Sequence, residues 1–392
     1  MALAAAVLAP SAASAATLTV QGARLAIDGR PKFLTFISYF GAMGAANAPA
    51  DLAYLAKAGF DGVRVWPNSP EAPKLMRADG TLDAGVLDRL LALLRTAAAY
   101  GLVVDVTFTA EHVTGISATA FRSGVAAAVA AMRPNGNVLV DLQNEHDVYG
   151  PGGRSTTPAD TAALVTAARA ADPARVIFAS FTANTTPETV AAAASARGFD
   201  LVAYHDPRTA TWFTPATAIP LVAALGSTAR PVYLQEPNRY PFAGATTADA
   251  FHQARLSAKL AGAAAWCFHT DLGFNLASSL FQTRLESRAP EREVVAALTP
   301  RVTFTSGSGA MWSATGAGIT AMPVTPDAAT VFRIVSDTGG PLVSGDRVML
   351  AVDGGPFVTA AAGQMLAADA PAMSDGALFV VTNVTGGGRH EW

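Results

Sequence analysis

The clearest guide to the architecture of this chain is the run Leu102-Val103-Val104-Asp105-Val106, which is apolar almost throughout. Strands of a parallel sheet covered on both faces have this composition. Similar runs predict strands at 33–38, 61–66, 102–108, 137–143, 175–180, 200–205, 231–236 and 263–268. Amphipathic patterns between them predict helices near 50–59, 84–99, 117–132, 158–171, 186–197, 217–226, 247–260 and 290–298. This alternation predicts an α/β chain folded as a (β/α)8 TIM barrel, with a doubly wound open sheet as the alternative.

Several short signals mark where the elements begin and end. Thr157-Pro158 and Thr186-Pro187 place a capping residue before a proline in the first helical turn. Gly59 and Gly101 stand where helices should stop. The segment 18–30, with Asp28-Gly29 as its turn, predicts a hairpin that covers the bottom of the barrel.

The helical pattern stops after residue 300, and the segment 300–392 is rich in Gly, Thr, Val and Ser. It contains a weak internal repeat. Trp312, Gly318 and Phe332 in the first copy correspond to Phe357, Gly363 and Phe379 in the second. The repeat resembles that of a fascin-type β-trefoil, possessing two copies where a trefoil has three, and a small β-sandwich is the alternative. We therefore predict a (β/α)8 barrel domain at 17–299 and a small all-β domain at 300–392.

The bulk composition excludes several classes of partner. A formal net charge of -3 leaves no basic face for nucleic acid. Beyond the N-terminus no apolar run has the roughly 18 residues of a membrane span, and Cys267, the single cysteine, excludes an internal disulfide and thiolate metal clusters. Residues 1–16 are Ala-rich and end near Ala13-Ser14-Ala15, which predicts a clipped export signal or, alternatively, a disordered tail. We expect a secreted monomer that needs no cofactor and no metal.

Two glutamates stand at the ends of predicted strands. Asn144-Glu145 ends the fourth strand, and Glu236 ends the seventh. TIM barrels carry their chemistry at the carboxyl ends of the strands. A pair of carboxyl groups brought together there is what retaining glycoside hydrolysis requires, with an expected separation of roughly 5 to 5.5 Å.

With this pair, residues 17–298 resemble clan A of the glycoside hydrolases, which includes the family 5 cellulases and mannanases. The resemblance implies that Glu145 is the acid and base and that Glu236 is the nucleophile. It also implies that Arg64, on the second strand, pairs with Glu236, and that Asn144 binds the sugar 2-hydroxyl. One departure is at the third strand, where His112 is shifted outward from the tip that usually carries paired histidines.

The same resemblance assigns further substrate contacts. A strand-six residue of the clan donates a hydrogen bond to the nucleophile, and here Tyr204 and His205 are equal candidates. Trp266, on the eighth strand, matches the tryptophan beneath the sugar at the point of cleavage. Further sugar subsites are predicted at Tyr39, Trp66 and Trp212.

The resulting expectation is a secreted hydrolase that cleaves a β-linked glucan, mannan or related polysaccharide by double displacement. Short loops favour endo cleavage, and an exo-acting β-glycosidase is the close alternative. A non-catalytic carbohydrate-binding barrel is a second alternative. A metal-dependent barrel hydrolase would need His-x-His on the first strand, and 33–38 contains no histidine.

Overall fold

The computed structural model describes residues 16–206, 208, 214–242, 246–299, 301–304, 311–315, 318–322, 331–343, 345–352, 357–359, 367–370 and 379–380. The predicted export signal lies outside these residues except for its last position, and so does Trp212. Export therefore stays a prediction. Within the described residues, no helix is both long enough and apolar enough to cross a membrane.

The core of the molecule is a barrel of eight parallel strands. They are β4 Leu34–Ser38, β5 Gly62–Val65, β6 Val103–Thr107, β7 Val138–Asp141, β8 Val176–Phe178, β9 Val202–His205, β10 Val232–Glu236 and β11 Ala265–Phe268. Neighbours pair in the order β8-β7-β6-β5-β4-β11-β10-β9. A parallel bridge between Phe181 and Tyr204 joins the two outer strands. The predicted TIM barrel is therefore confirmed.

A helix follows every barrel strand, and the last strand is followed by two. The helices are α1 Ala48–Ala58, α2 Ala84–Ala99, α3 Ala118–Met132, α4 Pro158–Ala171, α5 Pro187–Ala196, α6 Pro215–Leu225, α7 Ala248–Leu260, α8 Phe281–Ser287 and α9 Ala289–Ala296. Thr157 and Thr186 cap α4 and α5 through their side chains, as predicted. Gly59 ends α1 in the left-handed conformation (φ 102°), which favours glycine. Helix α8 was not predicted from the sequence.

Below the barrel lies a small antiparallel sheet of β1 Leu18–Gln21, β2 Arg24–Ile27 and β3 Arg30–Lys32. The predicted turn Asp28-Gly29 joins its second and third strands, and an additional turn at Gly22 joins the first two. The N–H of Leu18 donates to Gly136 O (3.0 Å), just before β7. The sheet thus packs at the amino ends of the barrel strands, as expected.

The C-terminal region is built of antiparallel strands, which confirms a small all-β appendage. Its described strands are β12 Arg301–Val302, β13 Met311–Thr315, β14 Gly318–Met322, β15 Phe332–Ser336, β16 Arg347–Val352, β17 Phe357–Thr359, β18 Ala367–Ala370 and β19 Phe379–Val380. Trp312 packs on Phe304 inside its own small core, with ring centroids 4.9 Å apart. The β-trefoil stays a prediction, because the repeat position Gly363 lies outside the described residues.

This C-terminal region touches the bottom of the barrel. The N–H of Phe33, just before β4, donates to Thr338 O (2.7 Å). Lys259, near the end of α7, forms a buried ion pair with Asp346 (2.6 Å). The packing is close, since a Cβ atom added at Gly340 would lie 2.4 Å from the Phe33 ring. The polar residues that follow the strands lie at the opposite end of the barrel.

Candidate active site

The buried side chain of Arg64, on β5, lies at the centre of the polar cluster at the top of the barrel. Its Nη1–H donates to Glu236 Oε1 (2.5 Å), and its Nη2–H donates to Asn144 Oδ1 (2.7 Å). The carboxylates of Asp105 and Asp141 lie 3.6 and 3.8 Å from the same guanidinium group. Burial alone would lower the pKa of Arg64. Glu236, Asp105 and Asp141 raise that pKa by a larger amount, so the guanidinium group stays charged. The predicted pairing of Arg64 with Glu236 is present in the structure.

A β-bulge near the end of β10 brings two successive residues to the barrel interior. The pairing of β10 with β9 shifts register between Leu234 and Glu236. As a result Gln235 donates to Asp105 Oδ2 (2.8 Å) while the next residue, Glu236, contacts Arg64. Bulges re-aim side chains in this way and are frequent beside active sites.

Glu145 follows β7 and lies close to Glu236. One carboxylate oxygen from each glutamate and one ring nitrogen of His205 lie within 4.8 Å of one another. The backbone of Glu145 has φ 43°, a left-handed conformation that is costly for a residue with a side chain. Its N–H donates to Ser180 Oγ (2.9 Å), which helps to hold this conformation.

Of the two strand-six candidates, His205 is the one that reaches the glutamates. Its Nδ1 lies 2.7 Å from Glu145 Oε1 and 3.8 Å from Glu236 Oε2. Its closer partner is therefore Glu145, whereas the resemblance implied a bond to Glu236. Tyr204 is buried on β9 and is absent from the lining of the cavity between the two glutamates.

The carboxyl of Glu236 is held ionised by its surroundings. His269, directly after β11, places Nδ1 3.7 Å from Glu236 Oε2. Burial alone would raise the pKa of Glu236, but His205 and Arg64 hold that pKa below its ordinary range. Burial also lowers the pKa of His269, to about 3, so that this imidazole is neutral at pH 7. The lasting positive charges beside Glu236 are therefore those of Arg64, at 2.5 Å, and Arg208, at 3.6 Å.

A cavity of about 320 Å³ opens above this cluster. Of the predicted site residues, Asn144, Glu145, Glu236 and Trp66 line it. The remaining residues of its lining are Glu111, His112, Tyr149, Arg208, Arg239, His269 and Phe274. The site therefore lies at the carboxyl ends of the barrel strands, where the sequence predicted it.

Besides Tyr204, two more predicted sugar contacts, Trp266 and Tyr39, do not lie at the cavity. Trp266 is 1% exposed and stacks on Phe268, which packs against Phe251 of α7. Tyr39 is fully buried, and its hydroxyl donates to Asp51 Oδ2 (2.7 Å). Neither ring is accessible to a sugar, so both assignments are corrected to packing roles.

Several polar residues of the site were not assigned a role from the sequence. Glu111, within a short turn after β6, accepts a hydrogen bond from Gln143 (3.1 Å), and burial raises its pKa to about 7. Asp105 was visible as a charged residue inside an apolar strand, which is costly unless it is paired. Arg208 and Arg239 follow the sixth and seventh strands and gave no sequence signal of their own.

The group Glu145, His205 and Glu236 has the spacing of a metal site. However, Glu236 already accepts a hydrogen bond from Arg64, and His205 Nε2 already faces Gln235 Oε1 (2.9 Å). A fixed guanidinium beside the carboxylate opposes a second cation by charge repulsion. The same atoms are well placed to hold and transfer a proton.

Comparison with known proteins gives the fold. No protein-family model and no curated protein matches the sequence. A solved structure named glycoside hydrolase matches at a TM-score of 0.56 and 14% identity, over 85% of this chain and 82% of that one. A glycoside hydrolase family 5 enzyme from Prevotella bryantii B14 matches at 0.50 and 15%, over 67% of this chain and 94% of that one.

An exo-beta-1,4-mannosidase from Opitutaceae bacterium strain TAV5 matches at a TM-score of 0.49 and 19% identity, over 61% of this chain. The chain spans 52% of the length of that protein. The two matches at TM-scores of 0.56 and 0.50 show that this chain has a barrel fold of the kind found in those glycoside hydrolases.

Proposed function

We propose that this protein is a retaining glycoside hydrolase that cleaves a β-linked sugar by double displacement. The observation that carries the proposal is the approach of Glu145 and Glu236, each with an oxygen within 4.8 Å of the other, at the ends of the fourth and seventh strands. Retaining enzymes hold their carboxyl groups about 5 to 5.5 Å apart. Inverting enzymes need roughly 6.5 to 9.5 Å to admit a water between them.

In the first step, a carboxylate oxygen of Glu236 forms a bond to the anomeric carbon as the bond to the leaving oxygen breaks. Glu145 donates its proton to that oxygen. In the second step, Glu145 takes a proton from water, and the water oxygen displaces Glu236 from the same carbon. Arg64 keeps Glu236 ionised and, through its bond to Oε1, fixes the orientation of the carboxylate.

His205 shares the catalytic proton with Glu145. Gln235 donates to Asp105, so that its Oε1 accepts from His205 Nε2 (2.9 Å). A neutral imidazole protonated at Nε2 presents a lone pair at Nδ1. The 2.7 Å contact from Nδ1 to Glu145 Oε1 then contains one proton, on Glu145 or on His205.

Endo cleavage and exo cleavage are both compatible with the cavity. Its volume of about 320 Å³ lies within the range for small-molecule sites, roughly 300 to 1,000 Å³, and has room for a sugar at the two glutamates. Comparing the release of products from a polysaccharide and from its short oligosaccharides distinguishes the two modes.

The stereochemistry of the product tests the proposal. We expect NMR spectra taken early in the hydrolysis of an aryl β-glycoside to show the β-anomer first, with the α-anomer appearing by mutarotation. Glu145→Gln and Glu236→Gln should each lower kcat/KM by at least about 100-fold, because each removes a group that acts in the transition state. Glu71→Gln, at an exposed position, is the matched control. Initial formation of the α-anomer, or normal turnover by Glu236→Gln, would refute the mechanism.

A further inference from the structure

Two arginines line the cavity on the side of the sixth to eighth strands. Arg208 follows β9 and Arg239 follows β10. The guanidinium carbons of both lie close to the same ring, that of Phe242, at 5.1 and 5.4 Å from its centroid. Phe242 is 41% exposed, so this cluster is open to a ligand.

Among the described residues, neither arginine has a carboxylate within hydrogen-bond distance, although Asp206 acts on Arg208, and Glu236 and Asp271 act on Arg239, from farther away. The side chain of Arg239 contacts His269 Nε2 (3.4 Å), and His269 is neutral at pH 7 because burial lowers its pKa to about 3. The carboxylate nearest to Arg208 is Glu236, at 3.6 Å. That carboxylate is already matched by the closer charge of Arg64 at 2.5 Å.

The arrangement has a free-energy cost that a ligand could offset. Each arginine disfavours the charge of the other, and this repulsion is stronger in a partly buried site than in water. Burial and the neighbouring Arg208 both lower the pKa of Arg239. Guanidinium groups present planar sets of N–H donors that match the oxygens of a carboxylate or a sulfate.

The charged side chains of the cavity are distributed unevenly. Glu111 and Glu145 come from the third and fourth strands and would repel a negative group on that side. Arg208, Arg239 and the neutral His269 come from the sixth to eighth strands, together with Glu236, whose carboxylate is paired with Arg64 at 2.5 Å. An anionic group on a sugar bound at the glutamate pair would therefore meet less repulsion on the arginine side than beside Glu111.

We propose that the sugar bound in this cavity carries an anionic substituent, the carboxylate of a uronic acid or a sulfate ester, which Arg208 and Arg239 hold together. This inference rests on the proposed function and specifies its substrate class. The anion would supply a carboxylate or sulfate partner within hydrogen-bond distance, which the two guanidinium groups lack among the described residues.

Matched pairs of fluorogenic aryl β-glycosides test this inference on the full chain. The pairs are glucoside and glucuronide, galactoside and galacturonide, and mannoside and mannuronide, with the 6-sulfates of the neutral sugars as a third arm. We expect at least one acidic glycoside to exceed its neutral partner in kcat/KM by tenfold or more. The uronide and sulfate arms identify which anion is preferred.

Substitution of the two arginines tests whether they cause the preference for acidic glycosides. In Arg239→Gln and Arg208→Gln we expect the acidic-to-neutral ratio of kcat/KM to fall at least tenfold, mainly through KM of the acidic substrate. Arg89→Gln, at an exposed position on α2, is the matched control and should keep the ratio of the native protein. Circular dichroism and the unfolding midpoint establish that each variant is folded.

The possible failures are distinguishable. If neutral glycosides are cleaved and no acidic one is preferred, the inference is overturned while the hydrolase remains. A preference that survives in both arginine variants also overturns it. If no glycoside is cleaved and a panel of neutral and acidic polysaccharides releases no reducing sugar, the proposed function fails, and the inference fails with it.

Discussion

At the scale of single residues, a chain of hydrogen bonds determines where the catalytic proton lies. It runs from Asp105 through Gln235 and His205 to Glu145. Burial raises the pKa of Asp105 to about 6, so its carboxylate is mainly ionised at pH 7 and can accept from Gln235. His205 is buried, which lowers its pKa, but Glu236 and Glu145 raise it above the ordinary value.

This chain predicts a change in pH dependence for His205→Asn. Burial lowers the pKa of His205, but Glu236 and Glu145 raise it above its ordinary value, so the proton in the contact between Glu145 and His205 is retained to higher pH than on a free imidazole. Removing His205 removes this site for the proton, so the basic limb of the kcat/KM profile should move to lower pH. Arg64 and Glu236 also face His205, and neither is altered. Full pH profiles of both proteins make the test, and a basic limb that stays in place would exclude the shared proton.

The sequence predicts some of these residues and not others, for a physical reason. Glu145, Glu236 and Arg64 are polar residues within or at the ends of apolar strands, so their position at the site follows from the pattern. The partner of His205 does not follow, because the choice between Glu145 at 2.7 Å and Glu236 at 3.8 Å depends on side-chain geometry. Arg208 and Arg239 lie in loops, where no periodic pattern fixes the direction of a side chain.

At the scale of the element, strand alternation explains why Trp266 is not a sugar contact. Successive residues of a strand face opposite sides of a sheet, so a shift of one residue exchanges the two faces. Trp266 and Phe268 share the side that packs beneath α7. Cys267 lies on the inner side of the barrel. Burial raises the pKa of its thiol, and the nearby Arg64, which points into the barrel, opposes that rise. The position after the strand, His269, is the one that reaches Glu236.

The two tryptophans should therefore respond differently to truncation. Trp266→Ala should lower the free energy of unfolding by about 3 to 5 kcal/mol, as expected for a large aromatic residue removed from a core. Trp66→Ala, at the cavity wall, should raise KM and should lower the free energy of unfolding by less than Trp266→Ala does. Urea unfolding and steady-state kinetics on both variants make the comparison. A large rise in KM for a fully folded Trp266→Ala would restore the sugar-stacking role.

Helix α8 is an element that the hydrophobic pattern of the sequence did not predict. The sequence predicted one helix near 290–298, and the structure has α8 and α9 divided at Arg288. Pro290 lies in the first turn of α9, where its missing N–H costs no hydrogen bond. α8 is seven residues long and buries only Phe281 and Leu285, which is too short for a clear amphipathic period.

At the scale of the whole molecule, the site and the C-terminal region occupy opposite ends of the barrel. The cavity lies at the carboxyl ends of the strands, and the all-β region contacts Phe33 and Lys259 at the other end. Lys259 also donates to Gly339 O (2.7 Å) and Pro341 O (2.9 Å), so that its ammonium is fully engaged. These contacts indicate that the C-terminal region stabilises the barrel.

Breaking this contact should affect stability without affecting catalysis. Lys259→Met leaves Asp346 buried without its cation, and we expect a loss of about 3 to 5 kcal/mol in the free energy of unfolding. Below the unfolding transition, kcat/KM should equal that of the native protein. Lys57→Met, at an exposed position of α1, should change stability by no more than about 0.5 kcal/mol. A folded Lys259→Met variant with reduced kcat/KM would mean that the C-terminal region acts on the site.

The most direct test of the proposed mechanism is the trapping of the covalent intermediate. The protein would be incubated with 2-fluoro glycosyl fluorides of glucose, mannose, xylose and glucuronic acid, followed by intact mass measurement and peptide mapping. Such probes slow the hydrolysis of the glycosyl enzyme more than its formation. The account predicts a mass gain of one fluoro sugar, carried by the peptide that contains Glu236. An adduct on Glu145, or no adduct from the sugar whose aryl glycoside is turned over, would contradict it.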